Sequence, residues 1–199
     1  MKLGFLASKN GSNMQAIIDA CADGRISASP SLLICNNATA FAATRARASG
    51  LIVKILNSKT HPDPSDLDQA IEETLIAHQI DLVVLAGYMK RIGKQTLSAF
   101  SNRILNIHPS LLPKFGGQGM YGIRVHEAVI RSREAETGAT VHLVNEDYDD
   151  GPILQQRSIN VRSGETPKSL QDRTLELEHS LYPDTITKIA KGDIILPDP

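Results

Sequence analysis

Short apolar runs alternate with amphipathic stretches through the first 107 residues of the chain. Short apolar runs are typical of strands, and apolar positions that recur about every three or four residues are typical of helices. The continuous run Leu82–Ala86 indicates a strand buried on both faces. This alternation predicts parallel strands with helices on both sides of a sheet, the doubly wound α/β class. The predicted strands are Leu3–Ala7, Leu32–Cys35, Leu51–Leu56, Leu82–Ala86 and Ile104–Ile107, and the predicted helices are Asn13–Ala22, Phe41–Ser49, one from Ser65 or Asp66 to about Gln79, and Thr96–Phe100.

The pattern changes after residue 110. A long loop that contains the glycine-rich segment Gly116–Gly122 follows, and then a helix predicted at Val125–Arg133. The next two strand-like runs, Thr137–Val144 and Ile153–Val161, flank an acidic turn, which predicts an antiparallel pair. We therefore expect a mostly parallel sheet with antiparallel C-terminal strands.

One long helix is predicted near the C-terminus. Thr166 is a suitable N-cap, and Pro167 fits the first helical position, where no backbone N–H is needed. Pro183 is expected to kink or divide this helix, because proline removes a hydrogen bond and crowds the preceding turn. With 199 residues, 41% of them hydrophobic, the chain can form one core, so residues 1–199 are predicted to be a single domain.

Composition excludes several classes of function. The formal net charge is -1 and no basic stripe occurs, so the sequence predicts no nucleic-acid partner. No apolar run approaches the roughly 20 residues that span a bilayer, and Leu3–Ala7 is too short for a signal sequence. Cys21 and Cys35 lack metal-ligand spacing and are expected to be buried thiols. We therefore expect a cytoplasmic protein with no membrane partner.

The first predicted strand ends in an unusual segment, at the sheet edge where ligands of open α/β sheets bind. Ser8–Asn13 lies directly before a helix. Backbone N–H groups at a helix N-terminus suit a phosphate, and Gly11 would allow close approach. An ordinary capped turn would have the same residues. The segment is neither a Walker A loop nor a GxGxxG motif, so it does not indicate a dinucleotide.

The fourth predicted strand is followed by the turn Gly87–Ile92. Its glycine would let a flat ligand approach the backbone, and Met89 and Ile92 would line an apolar slot. A strand-to-helix turn with a solvated Lys90–Arg91 pair would have the same composition. The signal is therefore weak by itself.

The fifth predicted strand ends in polar residues. Alternation along the strand puts Asn106 and His108 on the same side, where an amide and an imidazole would polarise a carbonyl-like oxygen. A histidine that only caps the strand end is the alternative. The acidic turn Asn145–Pro152 offers a carboxylate, although most such turns are merely solvated.

The remaining histidines carry weaker signals. His142 shares a strand face with Thr140 and Val144 and is either a supporting polar group or a core histidine. A metal site made from His108, His142 and the acidic turn is conceivable, but no zinc or calcium spacing occurs. The other histidines are expected on loops or helix surfaces: His61, His78, His126 and His179.

Taken together, these motifs resemble a known family. The chain contains, in order, Ser8–Asn13, Ala86–Met89, Asn106–Pro113, Asp149–Pro152, Glu178–His179 and Tyr182–Pro183. This arrangement is similar to that of the glycinamide ribonucleotide formyltransferases, folate-dependent enzymes of purine synthesis, over nearly the whole chain. Asn106–Pro113 also resembles methionyl-tRNA formyltransferase and formyltetrahydrofolate deformylase. The resemblance therefore indicates formyl-folate chemistry more specifically than it indicates which molecule accepts the formyl group.

The resemblance implies a function and a set of site residues. It implies transfer of a formyl group from the co-substrate 10-formyltetrahydrofolate to the amine of 5-phosphoribosylglycinamide, without a metal. Residues 1–107 would form the phosphate- and nucleotide-binding half, and residues 108–199 the folate and catalytic half. The implied residues are Asn106, His108 and Asp149 for catalysis, His142 in support, Gly11, Ser12, Asn13 and Glu178 for the substrate's phosphate and ribose, and Met89, Lys90, Arg91, Ile92, Asn106 and Val144 for the folate.

The implied catalytic roles agree with the chemistry of formyl transfer. Asn106 and protonated His108 would stabilise the oxyanion that forms when the amine attacks the formyl carbon. Asp149 would raise the pKa of His108 and keep the imidazolium available near neutral pH. The same carboxylate would accept the amine proton, directly or through water.

Several positions depart from the family pattern. Pro64–Asp66 replaces an arginine that meets the folate's glutamate tail in several relatives, which leaves Lys90 or Arg91 for that contact. Leu175 stands where some relatives have a polar phosphate partner. Neither change affects the three implied catalytic residues.

Two other functions remain as alternatives. One is another 10-formyltetrahydrofolate enzyme, of the deformylase or methionyl-tRNA formyltransferase type. The other is a non-catalytic nucleotide-binding module, which would not need the catalytic trio. Chain length and the Gly11–Asn13 segment favour a small nucleotide acceptor. The expected assembly is a monomer or a homodimer.

Overall fold

The computed structural model describes residues 1–198, and its strands form one seven-stranded sheet. The neighbours run in the order β3-β2-β1-β4-β5-β6-β7. Strands β1 to β5 pair in parallel, whereas β6 pairs antiparallel with both β5 and β7. The predicted fold class is therefore confirmed. The strands are β1 Lys2–Ala7, β2 Ser29–Cys35, β3 Ile52–Ile55, β4 Leu82–Leu85, β5 Ile104–His108, β6 Glu136–Leu143 and β7 Ile153–Asn160.

Helices cover both faces of the sheet, because alternate strand residues point to opposite sides. In β1, Phe5 belongs to the hydrophobic cluster beneath α1, α2 and α6, and Leu6 belongs to the cluster beneath α3 and α4. Both side chains are fully buried. The helices are α1 Ser12–Ala22, α2 Phe41–Ala48, α3 Pro64–Ala77, α4 Lys94–Ala99, α5 Ile123–Arg131 and α6 Pro167–Lys191.

The structure corrects the predicted start of α3 and excludes the predicted division of the C-terminal helix. The N-cap of α3 is Asp63, whose carboxylate accepts hydrogen bonds from the backbone N–H groups of Ser65 and Asp66. Pro64 can begin the helix because its missing N–H falls at a position without an intrahelical partner. Helix α6 continues through Pro183 and is not divided. Its buried face, including Tyr182, packs on the sheet and holds the helix across that residue.

The strand order creates the sheet edge at which ligands are expected. From β1 the chain moves outward to β2 and β3, and then crosses back to β4 on the other side of β1. The carboxyl ends of β1, β4 and β5 consequently lie side by side, at the point where the order reverses. Within the described chain, no helix has the length and apolar character required to cross a membrane.

Candidate active site

Two side chains meet across the β5–β6 pair. Asn106 on β5 and His142 on β6 are directly opposite in register, and the Asn106 Nδ2 group donates to His142 Nε2 at 3.1 Å. His142 Nδ1 donates to the carbonyl of Leu143 at 2.9 Å, and His142 Nε2 also lies 3.6 Å from Asp149 Oδ1. His142 therefore lies opposite Asn106 and contacts both Asn106 and Asp149.

Asp149 completes this group from the acidic loop, which we define as Asn145–Asp150. Its Oδ2 atom lies 3.3 Å from His108 Nδ1, and its Oδ1 atom lies 3.5 Å from Asn106 Nδ2. The backbone N–H of Gly117 donates to Oδ2 at 3.0 Å. The structure thus brings Asn106, His108 and Asp149 together, although they come from one strand and a distant loop.

His108 is buried and has an acceptor beside each ring nitrogen. Nδ1 faces Asp149, and Nε2 lies 2.8 Å from the carbonyl oxygen of Phe115. A ring with both nitrogens protonated would donate to both acceptors, whereas a neutral ring donates to only one. Burial nevertheless lowers the pKa of His108, and Asp149 and the Phe115 carbonyl only partly oppose this effect. Asp149 thus raises the pKa of His108, as expected, but burial has the larger effect, so the expected imidazolium is not favoured near neutral pH in the free protein.

The Asp149 carboxylate is held in its ionised form. Burial raises the pKa of Asp149, but His142, His108 and the Gly117 N–H together lower it below the ordinary value. The backbone at Asp149 has φ = +55°, a conformation uncommon for residues other than glycine. A strained backbone that aims a carboxylate at a histidine is typical of functional sites.

The segment after β1 forms the start of α1. Gly11 is the N-cap residue with φ = +69°, and a Cβ atom there would lie 2.7 Å from the Cβ of Ala42. Glycine at this position therefore provides both the backbone conformation and the space for α2 to pack on the loop. The first N–H groups of α1, from Ser12 onward, have no partner within the helix and suit an anion.

Asn13 and Glu178 are joined, 165 positions apart in sequence. Asn13 Nδ2 donates to Glu178 Oε2 at 2.7 Å, and both residues are buried. Burial raises the pKa of Glu178 to about 7, although the bond from Asn13 lowers it. Asn13 Oδ1 is buried and has no hydrogen-bond partner in the described structure. Asn13 Oδ1 is therefore a buried, unused acceptor in the first turn of α1.

The turn after β4 lies beside the segment after β1. The Ser8 hydroxyl accepts a hydrogen bond from the Met89 N–H at 2.8 Å, and the Ser8 N–H donates to the Gly87 carbonyl at 3.2 Å. Met89 is 38% exposed, whereas Ile92 is buried in the core beneath the turn. Ile92 therefore supports the turn in the free protein, and Met89 presents an apolar surface.

Val144 and Arg91 connect this turn to the acidic loop. Val144 is half-buried and packs against the same core cluster as Ile92. Arg91 Nη2 donates to the carbonyl of Glu146, and its guanidinium lies over the ring of Tyr148. Lys90 is exposed. The predicted folate residues after β4 thus lie close to the loop that carries Asp149.

Some residues near the site were not found by sequence reasoning. His126 is buried on α5, where burial lowers its pKa to about 4, so its prediction as a surface residue is wrong. The role of the Phe115 carbonyl could not be predicted from sequence, because every residue has a backbone carbonyl. Ser8 lies in the predicted segment, but it contacts the β4 turn rather than the α1 N-terminus. Within residues 1–198, no group of three or more histidine, cysteine or acidic side chains is suited to a metal ion.

Comparison with known proteins identifies the class to which this fold and site belong. The formyl transferase family matches residues 1–186. The chain belongs to the formyl transferase family.

Two curated relatives carry the name phosphoribosylglycinamide formyltransferase. The chloroplastic phosphoribosylglycinamide formyltransferase of Arabidopsis thaliana is 41% identical over 195 residues, which cover 97% of this chain and 66% of that protein. The chain thus spans about two thirds of the plant protein. The phosphoribosylglycinamide formyltransferase of Haemophilus influenzae is 36% identical over 99% of this chain and 91% of its own length. The crystal structure of glycinamide ribonucleotide transformylase 1 from Symbiobacterium toebii superposes with a TM-score of 0.92 at 38% identity, covering 99% of this chain and 91% of that one.

Proposed function

We propose that this chain transfers a formyl group from 10-formyltetrahydrofolate to the amine of 5-phosphoribosylglycinamide, a step of purine synthesis. The observation that carries the proposal is the meeting of Asn106, His108 and Asp149 at the sheet edge that also carries the α1 N-terminus and the β4 turn. The first of these two elements suits a phosphate, and the second suits a flat apolar ligand. The names of the relatives support the same acceptor.

The substrate side of the proposed site uses α1 and α6. The N–H groups that follow Gly11, together with Ser12, would bind the phosphate, because they are unpaired donors at the positive end of a helix. Asn13 and Glu178 would accept hydrogen bonds from the ribose hydroxyls, which would provide the donor that Asn13 Oδ1 lacks. The amine would then extend toward β5.

The folate side uses the turn after β4 and the end of β6. The exposed surface of Met89, the half-buried Val144 and the backbone of the turn fit a flat ring that carries polar edges. Lys90 is exposed on this turn and would contact a carboxylate tail. Bound folate supplies the formyl carbon next to Asn106.

The proposed residues can perform each step of the transfer. The neutral amine forms a bond to the formyl carbon, and the carbonyl electron pair moves to oxygen, where Asn106 and His108 donate hydrogen bonds. The negative charge that develops there raises the proton affinity of His108, which offsets the effect of burial. When the carbon–nitrogen bond to folate breaks, His108 protonates that nitrogen. Asp149 accepts the proton that the amine loses, directly or through water.

Assembly and location stay predictions. We expect the protein to be a monomer or a homodimer in the cytoplasm, with small-molecule substrates and no nucleic-acid partner. We also expect residues 1–199 to form a single domain with the two functional halves described above.

A formyl-transfer assay tests the proposed function. The purified chain is expected to formylate glycinamide ribonucleotide with 10-formyltetrahydrofolate, and His108→Ala is expected to lower kcat by roughly a thousandfold, since it removes both a donor and a proton source. His61→Ala, which removes a histidine from the loop before α3, is the control and should retain activity. Release of formate without any acceptor would instead identify a deformylase. No formyl transfer by a well-folded wild-type chain would contradict the proposal.

A further inference from the structure

The acidic loop has few connections to the rest of the molecule. Within the described chain, its hydrogen bonds to other segments involve only Asp149 and the carbonyl of Glu146. The bond from the Asp147 N–H to Asn145 Oδ1, at 3.0 Å, stays inside the loop. The residues on either side of Asp149 are exposed. Asp149 must therefore keep its strained conformation in a loop that little else holds.

Besides the hydrogen bonds of Asp149, the acidic loop is connected to the rest of the protein by Arg91. Its Nη2 group donates to the Glu146 carbonyl, and its Cζ atom lies 5.8 Å from the ring centroid of Tyr148. A planar guanidinium can make both contacts at once, because its edge donates while its face stacks on the aromatic ring. Glu146 and Tyr148 stand three positions and one position before Asp149. The contact therefore holds the part of the loop that leads into the carboxylate.

We propose that Arg91 is a positioning residue for Asp149: its side chain fixes the acidic loop from the β4 turn, so that the carboxylate faces His108. This inference rests on the proposed function, and it gives the Arg91 side chain a role other than binding the folate tail. The contact also connects the β4 turn to the acidic loop that follows Val144, since Arg91 lies on the turn and Glu146 on the loop.

The proposal makes the proton equilibrium of His108 depend on Arg91. The ionisable groups that face His108 are Asp149, His142 and His126, and the Phe115 carbonyl bonds its Nε2 atom. Of the charged groups, only Asp149 favours the imidazolium. If the loop is released, Asp149 moves away and the pKa of His108 falls further.

A double-mutant cycle tests this role. Arg91→Met, Asp149→Asn and the double variant are compared with the wild type by kcat, by the KM for each substrate and by the NMR titration of the His108 ring. Arg91→Met is expected to lower kcat by roughly ten- to a hundredfold, because a displacement of about 1 Å at a reacting group has effects of this size. It should also shift the His108 titration to lower pH. Adding Arg91→Met to Asp149→Asn should cause little further loss.

Two further variants separate this role from general destabilisation. Arg131→Met removes an exposed arginine from α5 and should leave kcat and the titration unchanged. Arg91→Lys keeps the charge but loses the planar stack, so its effects should be intermediate. A His108 titration that is unchanged in folded Arg91→Met would overturn the proposal, as would losses that simply multiply in the double variant. If the wild type transfers no formyl group, the proposed function fails, but the titration still tests the link between Arg91 and His108.

Discussion

At the scale of the residue, the buried polar groups of this protein are held by partners from distant parts of the sequence. Glu178 on α6 accepts a hydrogen bond from Asn13 on α1, and within residues 1–198 this bond is the only one that offsets the loss of water around the Glu178 carboxyl group. A single neutral donor compensates poorly for a buried carboxylate. The group therefore titrates near neutrality, unlike Asp149, whose several partners keep it ionised.

The raised pKa of Glu178 predicts a pH-dependent effect on stability. The folded pKa, about 7, lies above the ordinary 4.5, so the stabilising contribution is complete below about pH 4.5 and is lost as the pH rises through 7. Glu178→Gln removes this loss. The free energy of unfolding of Glu178→Gln minus that of the wild type should therefore increase by up to about 3 kcal/mol from pH 5 to pH 8. Urea denaturation at several pH values measures this, and a difference that does not change with pH would contradict it.

The roles of the site residues could be predicted from the sequence to different extents. Asn106 and His108 could be placed together because alternation along a strand is fixed by backbone geometry. Asp149 could be assigned only through the resemblance to known formyltransferases. The neighbouring acidic residues of the same turn are equally plausible from sequence, and only the loop conformation distinguishes them. The direction of the His108 pKa could not be predicted, because it depends on how deeply the ring is buried. His126 was missed for the same reason.

At the scale of the element, strands were predicted better than helix ends. Each parallel strand is a short apolar run. Strands buried on both faces are apolar at consecutive positions, so they are easily recognised in the sequence. Helix ends depend on single caps, as Asp63 shows, and on packing, as the uninterrupted course of α6 through Pro183 shows. Neither dependence can be read from periodicity alone.

The two glycines that flank α1 give a prediction about this element. Gly11 and Gly24 both have positive φ, but a Cβ at Gly11 would press on Ala42, whereas a Cβ at Gly24 meets nothing within 4 Å. Gly24→Ala should cost about 1 kcal/mol, from backbone strain alone. Gly11→Ala should cost roughly 2–4 kcal/mol, because overpacking is added to the strain. It should also raise the KM for glycinamide ribonucleotide, since the N-terminus of α1 moves.

Thermal or urea unfolding of the two variants measures the stability difference, and steady-state kinetics measures the KM. Gly24→Ala is the matched control, because it places the same methyl group on the same kind of backbone at the other end of the helix. Equal costs at the two positions would show that the contact with Ala42 contributes nothing. An unchanged KM in Gly11→Ala would separate the loop from the substrate.

At the scale of the whole molecule, α6 connects the parts of the chain that build the site. It begins after β7, supplies Glu178 to α1, and one turn later places Tyr182 beneath the sheet. The single O–H of Tyr182 is shared between the carbonyls of Leu105 and Leu85, which lie 2.9 and 3.2 Å from its oxygen. These carbonyls close β4 and precede Asn106 on β5. The same helix therefore contacts the proposed phosphate site, the strand that leads into the β4 turn and the strand that carries Asn106 and His108.

This arrangement predicts that the Tyr182 hydroxyl stabilises the complete fold rather than a local segment. The side chain is fully buried and stays neutral, because burial raises the pKa of Tyr182 well above its ordinary value. Tyr182→Phe keeps the ring but removes the donor, and should lower the free energy of unfolding by about 1–3 kcal/mol. Since the lost bonds join α6 to the centre of the sheet, the urea midpoint should fall without a change in slope. Tyr121→Phe, at an exposed ring, should leave the midpoint unchanged. A shallower slope in Tyr182→Phe would mean that α6 separates before the sheet unfolds. The hydroxyl would then stabilise only the attachment of α6 and not the complete fold.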